Sequence, residues 1–149
     1  MSETMALTPR RLQTLPTWQL SQANVRAHAL LSGALGRADA RGHHYRLLAA
    51  LEEIGPASQA ILGRATALDR SDVAVGLAEL ERRELIERRP DPGDRRRKSV
   101  GLTRRGRRLL GDLDAAMQWV QEEFLAPLSP RERTTLVGLL ERLTQPPAD

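Results

Sequence analysis

Apolar residues along this chain recur with a helical step, then briefly with an alternating one, then helically again. Leu20, Ala23, Ala27, Leu30, Leu31, Ala34 and Leu35 fall three and four residues apart, which predicts a long amphipathic helix capped by Thr17. Gly42 ends that helix or separates it from a second, His44 or Tyr45 to Ile54. Leu47, Leu48, Leu51 and Ile54 form its stripe, and Gly55-Pro56 stops it. Ser58 reads as the cap of a short third helix, Gln59 to Thr66, with Ile61, Leu62 and Ala65 turned inward. Asp69 caps a fourth that runs to about Arg83 over a buried side of Val73, Leu77 and Leu80. The period then drops to two. Leu85 to Arg89 and Lys98 to Leu102 flank Pro90-Asp-Pro-Gly-Asp94, which reads as a two-stranded hairpin with an irregular tip. Thr103 caps the next helix, whose apolar face is Leu109, Leu110, Leu113, Ala116, Met117, Val120 and Phe124. Ala126-Pro127 breaks it, and Ser129-Pro-Arg-Glu132 forms a capping box. The last helix carries Leu136, Val137, Leu139, Leu140 and Leu143 to Pro146-Pro147. Residues 1–16 show no sustained period and read as an arm with a short helical turn near Pro9 to Thr14.

Helix, tight turn, helix and basic hairpin, in that order, make a winged helix-turn-helix. The expected fold class is therefore mainly α with a small β-hairpin wing, flanked by long N- and C-terminal helices. Those long helices carry more apolar surface than a three-helix module can cover. A second copy is the simplest partner, with intrachain packing absorbing part of the surface.

Charge sharpens this picture. The 149 residues amount to one domain and carry a net charge of only +4. Yet twelve Lys/Arg and four acids lie between Arg82 and Arg108, a net of +8, which leaves the rest of the chain at −4. Arg95, Arg96, Arg97 and Lys98 are consecutive at the hairpin tip, and such a cluster repels itself unless an anion receives it. Lys98 is the only lysine, so coding bias can account for arginine over lysine, but it does not account for the clustering. The sequence has no cysteine, which excludes disulfides, thiolate metal sites and thiol redox sensing. No apolar run is long enough for a membrane helix and the N-terminus lacks a signal-peptide core, so the expected location is the cytoplasm, away from membranes. There is no nucleophile–base constellation, Gly-rich phosphate loop or metal motif, so an enzyme is not expected and no cofactor is implied. His43-His44 is a poor metal pair by sequence: neighbours at a helix start point apart, and no carboxylate accompanies them at ligand spacing.

Four stretches resemble the MarR family of bacterial transcriptional regulators: Gly55-Pro-Ala-Ser-Gln-Ala60, Leu68-Asp-Arg-Ser-Asp-Val73, Leu80-Glu-Arg-Arg-Glu-Leu-Ile-Glu-Arg-Arg89, and Pro90-Asp-Pro-Gly-Asp-Arg-Arg96 followed by Val100-Gly-Leu-Thr103. The resemblance runs from about Leu20 to Leu143. It implies a cytoplasmic homodimer, with residues 17–149 as one domain: dimerisation helices at about 17–41 and 103–145, and the winged helix-turn-helix at about 44–103. It implies regulation, mostly repression, at a pseudo-palindromic operator on double-stranded DNA, with release by a small, often aromatic or anionic, ligand. The chain departs from the family at Glu84, where Gly commonly ends the recognition helix, so that helix is expected to end differently. It also departs at Val75, where many members present a polar or basic residue to DNA.

On this reading the fourth helix enters the major groove. Arg70 and Ser71 would reach bases or phosphates, and Ala74 and Val75 would meet thymine methyls. Asp72 would either cap the helix or accept from a cytosine amino group. Ser58, Gln59 and Arg64 would hold phosphates. One or two of Arg95, Arg96 and Arg97, beside Lys98, would enter the minor groove, with Asp94 bracing the loop. Arg104, Arg105, Arg107 and Arg108 would either touch the DNA backbone or only raise the local potential. The resemblance also implies a ligand pocket between dimer helices and DNA-binding lobe, for which Trp18, Gln22, Arg26, His28, His44, Tyr45 and Met117 are the candidate liners. Three rival functions remain. They are a constitutive regulator with no effector, an architectural DNA binder, and a winged helix that binds protein.

Overall fold

The computed structural model describes residues 8–145, in the order α1 (Arg10–Gln13), α2 (Pro16–Gly36), α3 (Gly42–Ile54), α4 (Gln59–Thr66), α5 (Arg70–Arg82), β1 (Ile86–Pro90), β2 (Lys98–Leu102), α6 (Arg104–Phe124) and α7 (Pro130–Thr144). This is the mainly helical fold with one antiparallel hairpin that the hydrophobic pattern predicts. The turn expected near Pro9 to Thr14 is α1. Residues 1–7 of the expected arm and the Pro146-Pro147 stop lie outside the described residues.

Side-chain caps set most of the helix starts. Ser58 Oγ accepts from the Ile61 N–H at 3.3 Å, Asp69 Oδ1 from Asp72 at 2.8 Å and Thr103 Oγ1 from Gly106 at 3.0 Å. Ser129 and Glu132 cap each other reciprocally, and the bond from the Ser129 N–H holds the Glu132 carboxyl below its ordinary value. Each such cap is worth about 1 kcal/mol. The expected Thr17 cap is not there. Helix α2 begins two residues earlier, with Pro16 as its first residue and Leu15 as N-cap, because proline lacks the N–H that a cap would have to satisfy.

Helix α3 lies at the centre of the core, packed on α4, α5, α6 and β2. Leu47, Leu48 and Leu51 meet Leu62, Leu77, Leu80, Val100 and Leu113, all of them buried. In α4 the buried pair is Leu62 and Thr66, not the expected trio. Ile61 is 40% exposed and Ala65 is exposed. Residues four apart share a helix face, and Thr66 can be buried because its hydroxyl donates to the Leu62 carbonyl at 2.7 Å.

The hairpin pairs Ile86 with Leu102, Arg88 with Val100 and Pro90 with Lys98. Ala57 adds a two-bond bridge to Val100, which fixes the wing to the segment before α4. At the other end of the wing, α5 closes in a Schellman turn: Leu85 N–H donates to Leu80 O and Glu84 N–H to Glu81 O, both at 2.9 Å. Glu84 takes the left-handed conformation, φ 58°, at the position where the family commonly has Gly. The helix therefore ends in the usual left-handed way despite the substitution, with Leu80 and Leu85 both buried across the turn.

The long helices are less well covered. Only Ala34 and Leu35 of α2, and no residue of α7, are fully buried. Leu20, Val25, Trp119, Val137, Leu139 and Leu143 stay exposed along α2, α6 and α7. Among the described residues, no helix is long and apolar enough to cross a membrane.

A left-handed non-glycine residue costs on the order of 1 kcal/mol, and the Glu84–Arg105 ion pair is too exposed to offset much of it. Glu84→Gly is therefore expected to raise the urea midpoint, measured at fixed protein concentration, by the equivalent of about 1 kcal/mol. An unchanged or lower midpoint would show that the turn is not strained.

Candidate nucleic-acid interface

Helix α5 buries Val73, Gly76, Leu77 and Leu80 against the core and leaves Arg70, Ser71, Asp72, Ala74 and Val75 exposed. Its outer face is thus apolar in the middle, with Val75 48% exposed, and charged at its start. Between α4 and α5 runs a concave groove of about 670 Å³ lined by Gln59, Arg64 and Arg70, with Gly63 and Leu68 at its floor. Ser58 stands next to it as the α4 cap, where unpaired helix-start N–H groups favour an anion.

The wing tip is held by its acids. Asp91 Oδ1 accepts from the Gly93 and Asp94 N–H groups at 2.7 and 3.3 Å, Asp94 Oδ1 accepts from the Arg96 N–H at 3.0 Å, and Asp91 and Arg97 close the loop backbone at 2.9 Å. Asp94 therefore has the bracing role the sequence suggests, and its other oxygen lies 3.7 Å from Arg97 Nε. Arg95, Arg96 and Lys98 are exposed and make no ion pair among the described residues.

Elsewhere in the basic stretch, cations are used inside the fold. Arg88 bonds Glu81 of α5 at 3.0 Å, Arg89 pairs with Glu87 at 2.6 Å, Arg105 with Glu84 at 3.5 Å and Arg107 with Glu52. Arg105 and Arg107 are thus drawn into structural pairs, while Arg104 and Arg108 stay unpaired among the described residues. Among the described residues, the basic stretch from Arg88 onward thus divides into arginines paired with an acid of the fold and cations without one, Arg95, Arg96 and Lys98 at the tip and Arg104 and Arg108 behind it.

A second cavity, of about 650 Å³, opens between α2, the turn into α3, and the start of α5. Its polar lining is His28, Ser32, Asp39, Arg41, His43, Arg46 and Asp72. Of the seven liners expected from sequence, only His28 is among them. Arg26 is committed elsewhere: its guanidinium donates to the Phe124 and Glu123 carbonyls at 2.9 and 3.0 Å and lies over the Phe124 ring, so it caps the end of α6. Tyr45 donates to Asp114 Oδ1 at 3.0 Å; burial and that carboxylate hold its phenol above its ordinary pKa. It faces a smaller recess with Glu53 and Ile54. Met117 packs against the hydrophobic core. Trp18 and Gln22 lie on α2 two to three turns before His28 and do not line the cavity. The α2 residues that face this opening are His28, Leu31, Ser32 and Gly36, which all lie further along the helix than Trp18, Gln22 and Arg26. Arg41, His43 and Arg46 were missed because they line the cavity only through the left-handed turn at Asp39, φ 51°, which no local pattern announces.

His44 is not on that lining either. It is buried, its Nδ1 accepts the Arg41 N–H at 3.2 Å, and its Nε2–H donates to Glu79 Oε2 at 2.7 Å. Burial lowers its pKa, and the bond from His44 lowers that of Glu79, so the pair is a neutral imidazole against a carboxylate near pH 7. His43 and His44 do not point apart as adjacency suggested. Their rings meet edge to face, with centroids 4.3 Å apart, and both approach Glu79.

Residues 39–97 match the MarR family. The chain is similar to the HTH-type transcriptional repressor NicR of Pseudomonas putida, 38% identical over 96 residues, covering 64% of this chain. That match spans 61% of NicR's own length. A crystal structure of a probable transcriptional regulator from Pseudomonas aeruginosa is 39% identical, with a TM-score of 0.82 over 89% of this chain and 98% of that one. BpsR of Bordetella bronchiseptica, whose DNA binding is regulated by 6-hydroxynicotinic acid, is 26% identical. Its TM-score is 0.86 over 94% of this chain and all of its own.

If the free tip cations meet DNA, Arg96→Ala is expected to weaken operator binding in fluorescence anisotropy, and removal of Arg95, Arg96 and Arg97 together to abolish it at physiological salt. Thermal stability of the Arg96→Ala protein should change by no more than about 0.5 kcal/mol, since the lost side chain is exposed and unpaired. Unchanged affinity in the triple variant would remove the wing from the interface.

Proposed function

Because the chain belongs to the MarR family, we propose that it is a sequence-specific DNA-binding regulator of transcription acting as a homodimer, a repressor released by a small aromatic or anionic ligand. The observation that carries the DNA-binding reading is the unpaired, exposed cations Arg95, Arg96 and Lys98 projecting at the wing tip beside an exposed α5, while Arg88, Arg89, Arg105 and Arg107 are paired within the fold. In this reading α5 enters the major groove, Ser58, Gln59 and Arg64 hold the flanking phosphate, and the wing reaches the adjacent minor groove. Ala74 and Val75 contact thymine methyls. Residues 17–149 act as one unit, with α2, α6 and α7 forming the dimer contact. The exposed apolar residues of those helices support it, since no α7 residue is fully buried within its own chain.

The effector occupies the cavity under His28. Arg41 and Arg46 supply positive charge and donors for a carboxylate, against Asp39 and Asp72 on the same lining, and Leu31 and Leu68 supply apolar wall for a ring. The regulation of BpsR by a hydroxylated pyridine carboxylate supports that ligand class. Asp72 of the recognition helix belongs to the same lining, so a ligand that prefers one position of α5 shifts operator affinity through its differential binding.

If each dimer neutralises roughly ten phosphates, log K should fall with log salt at a slope of about −9. A slope near zero would reject the electrostatic account, and equal competition by bulk DNA would favour an architectural binder. Hydroxylated aromatic carboxylates are expected to raise the melting temperature and release operator in gel shift, with Arg46→Ala losing both responses. A panel that changes neither quantity would favour a constitutive regulator.

A further inference from the structure

Two adjacent histidines and one distant carboxylate converge on a point between α3 and the recognition helix. His44 Nε2 lies 2.7 Å and His43 Nε2 3.7 Å from the same oxygen of Glu79. The three ligand atoms all lie within 4.8 Å of one another. His43 Nε2 is fully shielded from solvent and has no hydrogen-bond partner, so a buried polar atom is left waiting for one. Gly76 makes the arrangement possible: a Cβ there would come within 3.0 Å of the His43 ring. A recess of about 120 Å³ beside His44 and Glu79 has room for an ion and a water, with Asp39 sharing its lining with Arg41, Arg82 and Arg83, whose positive charge an ion has to overcome.

We propose that His43, His44 and Glu79 form a binding site for one divalent transition-metal ion of the Zn2+ class. Two imidazole nitrogens, one carboxylate oxygen and a water make up a tetrahedral set whose neighbouring ligand atoms stand about 3.3 Å apart at ordinary zinc distances. The observed separations bracket that value, so side-chain shifts of about an ångström suffice.

Two features oppose the ion and define what its binding must change. Arg41 Nη1 lies 3.8 Å from the other Glu79 oxygen and has to swing away. Arg83 is less of an obstacle, because its guanidinium is held by the Asp39 and Ala38 carbonyls at 2.6 and 3.3 Å. His44 Nε2 carries a proton in the free protein, since its Nδ1 is the acceptor for the Arg41 N–H. Ligation moves that proton to Nδ1 through solvent and breaks the Arg41 contact. The metal thus gives up a helix-start bond of α3 and replaces the existing His44–Glu79 hydrogen bond between α3 and α5 with a coordinated link that also takes in His43. Glu79 sits on α5 and His43 lines the effector cavity, so the ion ties the recognition helix to the wall of that cavity. The site does not depend on the DNA-binding reading.

Competition of the tag-free, full-length protein with a chromophoric chelator for Zn2+ provides the test, with Co2+ absorption as a report on geometry. The expected result is one ion per chain and a tetrahedral Co2+ spectrum. Affinity should fall at least about tenfold in both His43→Asn and Glu79→Gln and be retained in His28→Asn, which removes the third histidine. Circular dichroism establishes that each variant is folded. No saturable binding of one ion per chain would overturn the proposal. So would binding that survives both ligand substitutions in folded protein, or that is lost with His28 instead.

Discussion

One carbonyl, that of Leu85, holds the recognition helix, the wing and α6 in a fixed relation. It accepts the Thr103 N–H at 3.2 Å and lies 3.1 Å from the Thr103 hydroxyl, which donates more closely to the adjacent Glu84 carbonyl at 2.8 Å, while the Leu85 N–H reaches back to Leu80. Helix α6 can approach this point only because residue 106 is Gly: a Cβ there would stand 2.1 Å from the Leu85 oxygen. No side-chain adjustment relieves a contact with backbone, so any larger residue would push α6 off the wing. The helix proposed to read a groove and the long α6 therefore meet at one rigid joint. A change in the position of α6 is passed to α5 and the hairpin together.

The same joint makes the charge arrangement useful. Consecutive cations at the tip of a loosely held loop would splay apart and sample many geometries. Here Asp91 and Asp94 spend their oxygens on loop N–H groups, and Ala57 pins β2 from behind. The positive tip is thus ordered before any anion arrives, which lowers the entropy cost of binding. Glu81, Glu84 and Glu52 engage Arg88, Arg105 and Arg107 further back, so the positive potential is concentrated at the end of the wing.

Much of this was legible in the sequence because it is local. The caps Ser58, Asp69, Thr103 and Ser129 each act within three residues, and the strands declared themselves by alternation around a turn cluster. The misses are of two kinds. Where two local signals competed, the stronger one won: Pro16 took the start of α2 from Thr17, and the Leu62–Thr66 spacing set the buried face of α4 against the more apolar Ile61. Where the geometry is non-local, periodicity carried no information. Arg26 meets the end of α6, Tyr45 meets Asp114, and His43 and His44 meet Glu79, across separations that no spacing rule covers. The residues of the second cavity belong to this class, since a left-handed turn at Asp39 places half of them.

The central claim is that two copies of α5 and the wing grip duplex DNA at symmetry-related places. Selection of bound duplexes from a random-sequence pool by the purified protein tests it most directly. The account predicts enrichment of an inverted repeat whose half-site centres lie about one helical turn, or about 34 Å, apart, with A·T pairs where the wings reach the minor groove. Enrichment of a lone half-site, or of no sequence at all, would contradict it.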